Sequence, residues 1–212
     1  MVVCCVADSP TPKSASCRYP PPVVVYTDAQ GLGHCAAVVF PPGKARPLVA
    51  HKHAPQWIID LPEDECGIFE YELLGVALGI SLLLERFTSL AAVLCCDNMG
   101  AVGTVIRGSC TTRMGRLLSG YIWKLVSGHS THLWVEFANS NNNAGDAPSR
   151  CCGVEVRENE FTRMGERCVL PKRFAHAFSS MDALGACLNT GPCPSQPTIL
   201  FGWECPHVVV DS

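Results

Sequence analysis

The stretch VVVYTDAQGLGHCAAVVF, residues 23–40, decides the fold. Its first five residues are β-branched or aromatic, and a second apolar run follows Gly31 and Gly33 before Pro41 stops it. Two such runs joined by a glycine-containing loop are typical of a β-hairpin. We therefore expect an antiparallel pair of strands, with Asp28 at the end of the first.

The segments that follow predict further strands and helices. A third short strand is expected over 47–53, then a buried helix of about 18 residues ending near Arg86, because its side chains are apolar nearly all round. The remaining expected elements are a strand at 91–96, helices at 99–107 and 113–126, a strand at 131–137, a polar turn at 139–143 and a final helix opening at 144–150. This order predicts a mixed α/β sheet whose first part is antiparallel.

Composition indicates one folded core. Of 212 residues, 48% are hydrophobic and 17% are charged, which is too apolar for a disordered chain. The longest apolar helical stretch falls short of the roughly 20 residues that a membrane span needs. The first ten residues lack a basic segment, so no signal peptide is expected, and we expect an intracellular protein of unassigned compartment.

The predicted domain occupies residues 23–176. Residues 1–22 contain five prolines and suit a flexible lead-in, whereas residues 177–212 are rich in Cys and Pro and form a tail of uncertain order. The chain has 14 cysteines but no Cys-x-x-Cys pair, so most are expected to be buried or free thiols. A zinc site is the alternative for one set of tail residues, Cys187, Cys193, Cys205 and His207.

Charge is distributed unevenly along the chain. Residues 1–100 hold 6 Lys/Arg against 10 Asp/Glu, residues 101–175 hold 10 against 6, and residues 176–212 hold none against 3. A basic middle segment beside an acid-rich half could present a phosphate-binding face near a carboxylate cluster. An ordinary solvated surface with uneven charge explains the same counts.

Acidic residues stand at the ends of the predicted elements. Asp28 and Asp97 each follow an apolar strand, so adjacent strands would bring both carboxylates close together, at a cost in repulsion unless a cation lies between them. Asp146 lies at the start of the last predicted helix. Each aspartate alone also suits a turn or a helix cap.

On the long helix, Glu70 and Glu72 lie about 200° apart, so only one can face the sheet. Gly75 and Gly79 share the face of Glu72 and would let the backbone approach a strand closely. We therefore predict Glu72 for the shared site and Glu70 for the solvated side. Four carboxylates on two strands and two helices are the hard oxygen ligands that paired Mg²⁺ ions require.

Four motifs resemble those of ribonuclease H, in the form carried by retroelement reverse transcriptase polyproteins. They are YTDA at 26–29, YELL at 71–74, CDN at 96–98 and NNAGDAPSR at 142–150. The ending DAPSR and the segment 97–109 are particularly similar to the retroelement branch. A proofreading exonuclease, which has an Asp-x-Glu in the first strand, is disfavoured by Gln30.

The resemblance implies a ribonuclease H-like fold, a five-stranded mixed sheet flanked by helices. It also implies that Asp28, Glu72, Asp97 and Asp146 coordinate two Mg²⁺ ions, with Mn²⁺ as a substitute, and cleave the RNA strand of an RNA·DNA hybrid. Glu136 stands where many members have a histidine, so a histidine proton shuttle is not expected. The alternative is a catalytically inactive module that binds RNA or assembles a larger complex.

Nucleic-acid contacts are expected from side chains around the acidic motifs and along one helix. Arg113, Arg116 and Lys124 lie within about 80° of one another on that helix and could follow a phosphate backbone. The other predicted contacts are Asn98, Arg107, Asn142 and Arg150. Expected partners are an RNA·DNA hybrid or structured RNA and other parts of a reverse transcriptase or ribonucleoprotein assembly, with no membrane.

Overall fold

A mixed sheet forms the centre of the computed structural model, which describes residues 21–31, 33–87, 91–129, 131–150, 163–190 and 199–200. Five strands make up its central part: β1 (Val23–Gln30), β2 (His34–Phe40), β3 (Leu48–His53), β4 (Ala91–Cys96) and β5 (His132–Phe137). Two-residue strands extend both edges, β6 (Glu166–Arg167) and β7 (Ile199–Leu200).

The strand order is β6-β3-β2-β1-β4-β5-β7. The pairs β1–β2 and β2–β3 are antiparallel, and every other pair is parallel. The predicted fold class, a five-stranded mixed sheet flanked by helices, is therefore confirmed in the central five strands.

Helices connect the strands. They are α1 (Gln56–Ile59), α2 (Ile68–Arg86), α3 (Met99–Arg107), α4 (Arg113–Ser127), α5 (Asp146–Arg150), α6 (Lys172–Ala177) and α7 (Met181–Asn189), with a 3-10 turn at Ser140–Asn142. The prediction of α5 as the final helix is wrong, because α6 and α7 follow it. Within the described ranges, no helix has both the length and the apolar character of a bilayer-spanning segment.

Helix α2 is the centre of the core and fixes the position of the site. Its residues 70–84 are all buried. A Cβ added at Gly79 would lie 2.8 Å from Thr27 Cγ2 and 2.9 Å from Val25 Cγ1, so only glycine allows α2 this close to β1. The close approach brings Glu72, two turns earlier on the same face, to the C-terminal end of β1.

The segment after residue 163 packs against α2 and α4. Phe174 and Phe178 are buried, and the ring of Phe178 meets that of Tyr121 edge-on at 5.1 Å. Helix α7 covers α4 from the side and buries Leu184. The domain limits and the lead-in stay predictions, since residues 1–20 lie outside the described ranges, as do Cys193, Cys205 and His207 of the zinc alternative.

Candidate metal centre

Two of the predicted acids meet at one edge of the sheet. Strands β1 and β4 are parallel neighbours, with Thr27 opposite Cys96, so the residues that follow each of them are also neighbours. These residues are Asp28 and Asp97, whose carboxyl groups lie within hydrogen-bonding reach of each other. The hydrophobic runs of the two strands thus place two carboxylates side by side.

Glu72 joins this pair from α2. It is 5% exposed, and its carboxylate lies with Cys96 and Asp97 in a group whose potential ligand atoms are all within 4.8 Å of one another. Glu72 accepts hydrogen bonds from the backbone of Ala29 and from Cys96 Sγ, the latter at 3.8 Å. These bonds hold the carboxylate in place at the strand ends.

The buried acids carry raised pKa values. Burial raises the pKa of Glu72 to about 8, and the negative charges of Asp28 and Asp97 add to the effect. Burial also raises the pKa of Asp28 to about 6; a hydrogen bond from Ser149 acts in the opposite direction, and repulsion from Asp97 and Asp146 adds to the increase. Such mutual repulsion among carboxylates is relieved by a cation between them.

Asp146 begins α5 and brings the fourth carboxylate close enough to act on Asp28. Its Oδ1 atom accepts hydrogen bonds from Arg150 Nε at 2.8 Å and from Arg150 Nη2, one helical turn away. The structure therefore brings Asp28, Glu72 and Asp97 together and places Asp146 near enough for its charge to act on Asp28, while Arg150 supplies a positive charge beside Asp146.

Two residues that position Asp28 were not predicted. Ser149 Oγ donates a hydrogen bond to Asp28 Oδ2, and Asn143 Nδ2 donates to Thr27 O at 2.9 Å. Ser149 lies three residues after Asp146 on the same short helix, a spacing that could have indicated it. Asn142, which is predicted to contact nucleic acid, is exposed in the 3-10 turn, whereas its neighbour Asn143 is buried.

Glu70 does not lie on the solvated side of α2, where it was predicted. It is 5% exposed, so the expected solvated position is wrong. Its Oε2 accepts from Gly67 N at 2.9 Å and its Oε1 from Thr112 Oγ1 at 2.7 Å, because the loop before α4 covers this side of α2. Glu70 thus caps the start of α2 and ties it to α4.

The predicted nucleic-acid contacts do not form one strip. Lys124 Nζ donates to the backbone carbonyls of Cys187 and Thr190, so the end of α7 occupies it and the prediction for Lys124 loses its physical basis. Arg113 and Arg116 are exposed at the start of α4.

The two predicted contacts on α3 lie at its opposite ends. Asn98 caps the N-terminus of α3 by accepting from Ala101 N at 3.0 Å. Arg107 lies in the last turn, in a groove of about 520 Å³ that also exposes Phe69 and Thr112.

Three of the solved structures that match this chain are ribonucleases H. No protein-family model and no curated protein matches the sequence. RNase H1 from the archaeon Halobacterium salinarum is 11% identical with a TM-score of 0.47, covering 60% of this chain and 93% of its own. The N-terminal RNase H domain of a Mycobacterium tuberculosis protein, solved as a fusion with maltose-binding protein, is 13% identical with a TM-score of 0.46, covering 61% and 94%. LC9-RNase H1, a type 1 RNase H with the type 2 active-site motif, is 15% identical with a TM-score of 0.45, covering 84% and 95%.

Proposed function

We propose that this chain is a divalent-metal-dependent nuclease of the ribonuclease H type, which hydrolyses the RNA strand of RNA·DNA hybrids. The observation that supports this most strongly is the convergence of Asp28, Glu72, Asp97 and Asp146 from four separate elements. A cluster of carboxylates at the end of a sheet, two of them buried, has no stabilising role of its own.

The donor set fits Mg²⁺. Magnesium prefers oxygen ligands, and the carboxylates of Glu72 and Asp97 lie in one group with ligand atoms within 4.8 Å. The third member, Cys96, is fully buried, and burial together with the nearby Glu72 raises the pKa of its thiol well above the usual range. Cys96 therefore stays a neutral thiol, and a hard cation would be held by the carboxylate oxygens.

Two bound Mg²⁺ ions would supply an activated water and would stabilise the leaving oxygen of the phosphodiester. Asp28, Glu72, Asp97 and Asp146 would hold them. Ser149 and Asn143 fix the orientation of Asp28, and the bond from Cys96 fixes Glu72. Preorganised carboxylates of this kind reduce the reorganisation that the reaction requires.

The exposed arginines suit a phosphate backbone. Arg150 contacts Asp146 at the edge of the acidic cluster. The guanidinium group of Arg150 could also pair with a phosphate group of the substrate there. Arg107 lines the groove that contains Phe69, and Arg113 and Arg116 are exposed in the first turns of α4, the helix that follows α3. Contacts of this type position a duplex without reading its bases.

The assignment to the retroelement type of ribonuclease H is based on sequence motifs. The DAPSR ending and the segment 97–109 support a retroelement-type nuclease that acts beside other parts of a reverse transcriptase or ribonucleoprotein assembly. This assignment predicts that the preferred substrate is the duplex made during reverse transcription, the RNA·DNA hybrid.

The test compares four length-matched labelled substrates, namely an RNA·DNA hybrid, double-stranded RNA, double-stranded DNA and single-stranded RNA, each with Mg²⁺ and with chelator. We expect cleavage of the RNA strand of the hybrid alone, and only with Mg²⁺. Calorimetric titration with Mg²⁺ accompanies the assay. Metal binding without cleavage of any substrate contradicts the nuclease, and absence of both metal binding and cleavage supports the inactive module instead.

A further inference from the structure

A cysteine lies among the carboxylates of the metal centre. Cys96 is the last residue of β4 and is fully buried, and its sulfur stands with the carboxylates of Glu72 and Asp97. We call these three residues the thiol site. In the part of the chain that the structure describes, no other three side chains of Cys, His, Asp or Glu stand close enough to hold one ion. The proposed reaction with Mg²⁺ uses the two carboxylates and leaves the sulfur uncoordinated.

The spacing of the thiol site suits a tetrahedral ion. Zn²⁺ binds sulfur at about 2.3 Å and carboxylate oxygen at about 2.0–2.2 Å, which puts a sulfur ligand and an oxygen ligand roughly 3.5 Å apart. The Cys96 Sγ atom lies 3.8 Å from Glu72 Oε2, and no two of the three ligand atoms are more than 4.8 Å apart. Side-chain shifts of roughly 1 Å would therefore close a three-ligand site, with the fourth position left for water.

Two hydrogen-bond donors reach the sulfur from outside the thiol site. Asn98 N donates to Cys96 Sγ at 3.5 Å. Thr27, opposite Cys96 on β1, is fully buried, and its Oγ1 atom lies within reach of the Cys96 sulfur. Among the described residues, this hydroxyl makes no hydrogen bond of normal geometry. A buried hydroxyl without a partner is costly and marks a place where a further group belongs. A metal-bound thiolate would be the acceptor that Thr27 lacks.

The presence of a thiol decides which metals this site can hold. Sulfur ligands favour Zn²⁺ and other thiophilic cations, whereas Mg²⁺ takes oxygen ligands. A thiol that coordinates Zn²⁺ loses its proton, which passes to the solvent. The ion is then surrounded by one thiolate and two carboxylates, and the thiolate accepts hydrogen bonds from Asn98 N and Thr27 Oγ1.

We propose that the thiol site binds Zn²⁺ or another thiophilic divalent cation through Cys96, Glu72 and Asp97, and that the bound ion inhibits hydrolysis. The inhibition rests on the proposed function, since an ion held there takes Glu72 and Asp97 away from the two Mg²⁺ ions. The binding itself depends on no reaction. Zn²⁺ and Mg²⁺ thus compete for the same two carboxylates.

The first test is calorimetric titration of the metal-free full-length protein with Zn²⁺, and a parallel titration with Co²⁺ that is followed by absorbance. A thiolate bound to Co²⁺ gives a charge-transfer band in the near ultraviolet, which carboxylates alone do not give. We expect Cys96→Ser to weaken Zn²⁺ affinity at least about tenfold and to reduce this band. The matched control is Cys95→Ser, the buried neighbour on the opposite face of β4, which should bind both ions like the wild type.

Two further variants keep the test decisive if thermal unfolding shows that Cys96→Ser fails to fold. Glu72→Gln removes one ligand and keeps the shape of the side chain, so it should also weaken Zn²⁺ binding and the cobalt band. Thr27→Val removes the hydroxyl that has no partner, so it should raise the melting temperature of the metal-free protein and lower its Zn²⁺ affinity about tenfold. Zinc affinity and cobalt absorption that stay unchanged in folded Cys96→Ser or in Glu72→Gln overturn the proposal.

The second test measures cleavage of the labelled RNA·DNA hybrid at a fixed Mg²⁺ concentration with increasing Zn²⁺. Each protein is compared with its own rate without Zn²⁺. Cys96→Ser should need at least about tenfold more Zn²⁺ than the wild type or Cys95→Ser for the same fractional loss of rate. Chelator followed by fresh Mg²⁺ should restore the rate. Equal inhibition of the wild type and Cys96→Ser overturns inhibition through the thiol site.

The outcome is separate from that of the proposed function. Zn²⁺ binding that is lost in Cys96→Ser, in a protein that cleaves no substrate with Mg²⁺, supports the thiol site as a metal site and refutes the nuclease. Cleavage of the hybrid by the wild type, together with a Zn²⁺ affinity that Cys96→Ser leaves unchanged, refutes the thiol site and leaves the nuclease.

Discussion

The substitution Glu72→Gln should stabilise the metal-free protein above pH 8. Glu72 has a raised pKa of about 8 against an ordinary value of 4.5, chiefly because it is buried. The folded protein therefore holds this proton more tightly than the unfolded chain does. Stability from this group is fully present below pH 4.5 and is lost as the pH rises towards 8 and beyond.

The size of the effect follows from the same shift. At about 1.36 kcal/mol per unit, a change from 4.5 to about 8 corresponds to about 5 kcal/mol between the protonated and ionised forms. Glutamine has the shape of the protonated acid and keeps an oxygen to accept from Cys96. It also leaves one amide group with new hydrogen bonds to find, which costs about 1–3 kcal/mol. We expect a net gain of about 2–4 kcal/mol at pH 8.5. At pH 5 the wild type keeps most of the contribution of this proton, so the cost of the amide group should leave the variant less stable by about 0–2 kcal/mol.

The assay is urea denaturation of the wild type and the variant in chelator at several pH values, repeated with Mg²⁺. The wild type should lose stability from pH 5 to pH 8.5 and regain it with Mg²⁺, whereas the variant should respond weakly to both. The reasoning is refuted if the two proteins have the same free energy of unfolding at pH 8.5 without metal.

Three further substitutions test the surroundings of the site. Glu70→Gln should destabilise the protein by about 1–2 kcal/mol in urea denaturation. Glutamine keeps one acceptor oxygen for two donors, Gly67 N and Thr112 Oγ1. An unchanged midpoint of urea unfolding would contradict the capping role. Ser149→Ala removes a hydrogen bond that lowers the pKa of Asp28. NMR titration of the Asp28 carboxyl group should therefore give a pKa above about 6, and a lower pKa would be incompatible with this contact. Gly145→Ala places a Cβ 3.0 Å from the Asp28 Cβ and N atoms. It should lower the stability of the protein by about 1–3 kcal/mol and weaken Mg²⁺ binding in calorimetry. Unchanged stability and unchanged Mg²⁺ affinity would contradict this placement.

Local sequence patterns were enough to predict the sheet and the proximity of Asp28, Glu72 and Asp97. The β-branched run before Asp28 and the apolar run before Asp97 predict two buried strands, and their register then places both acids at one edge. Gly79 predicted which face of α2 approaches β1, and Glu72 follows from it. These inferences needed only side-chain periodicity and the absence of a Cβ at one position.

The predictions that failed depended on contacts between distant segments. Glu70 is buried because Thr112, 42 residues later, covers it, and the angle around a single helix carries no information about that loop. Lys124 is occupied by the end of α7, a helix in a segment whose weak periodicity gave no prediction. Asn143 was missed for a similar reason, because the 3-10 turn at Ser140–Asn142 sets which asparagine of this run lies buried beside Asp28.

The most direct test of the metal centre is the rate at which the protein cleaves the labelled RNA strand of an RNA·DNA hybrid in Mg²⁺, compared between the wild type and Asp97→Asn. Asparagine keeps the size of the side chain and removes the charge that would hold the cation. Asp182→Asn, at an exposed carboxylate on α7, is the matched control. The account predicts chelator-sensitive cleavage by the wild type and the control, with a loss of at least about a thousandfold in Asp97→Asn, equal to about 4 kcal/mol of transition-state stabilisation. Cleavage by folded Asp97→Asn within about tenfold of the wild type would contradict it.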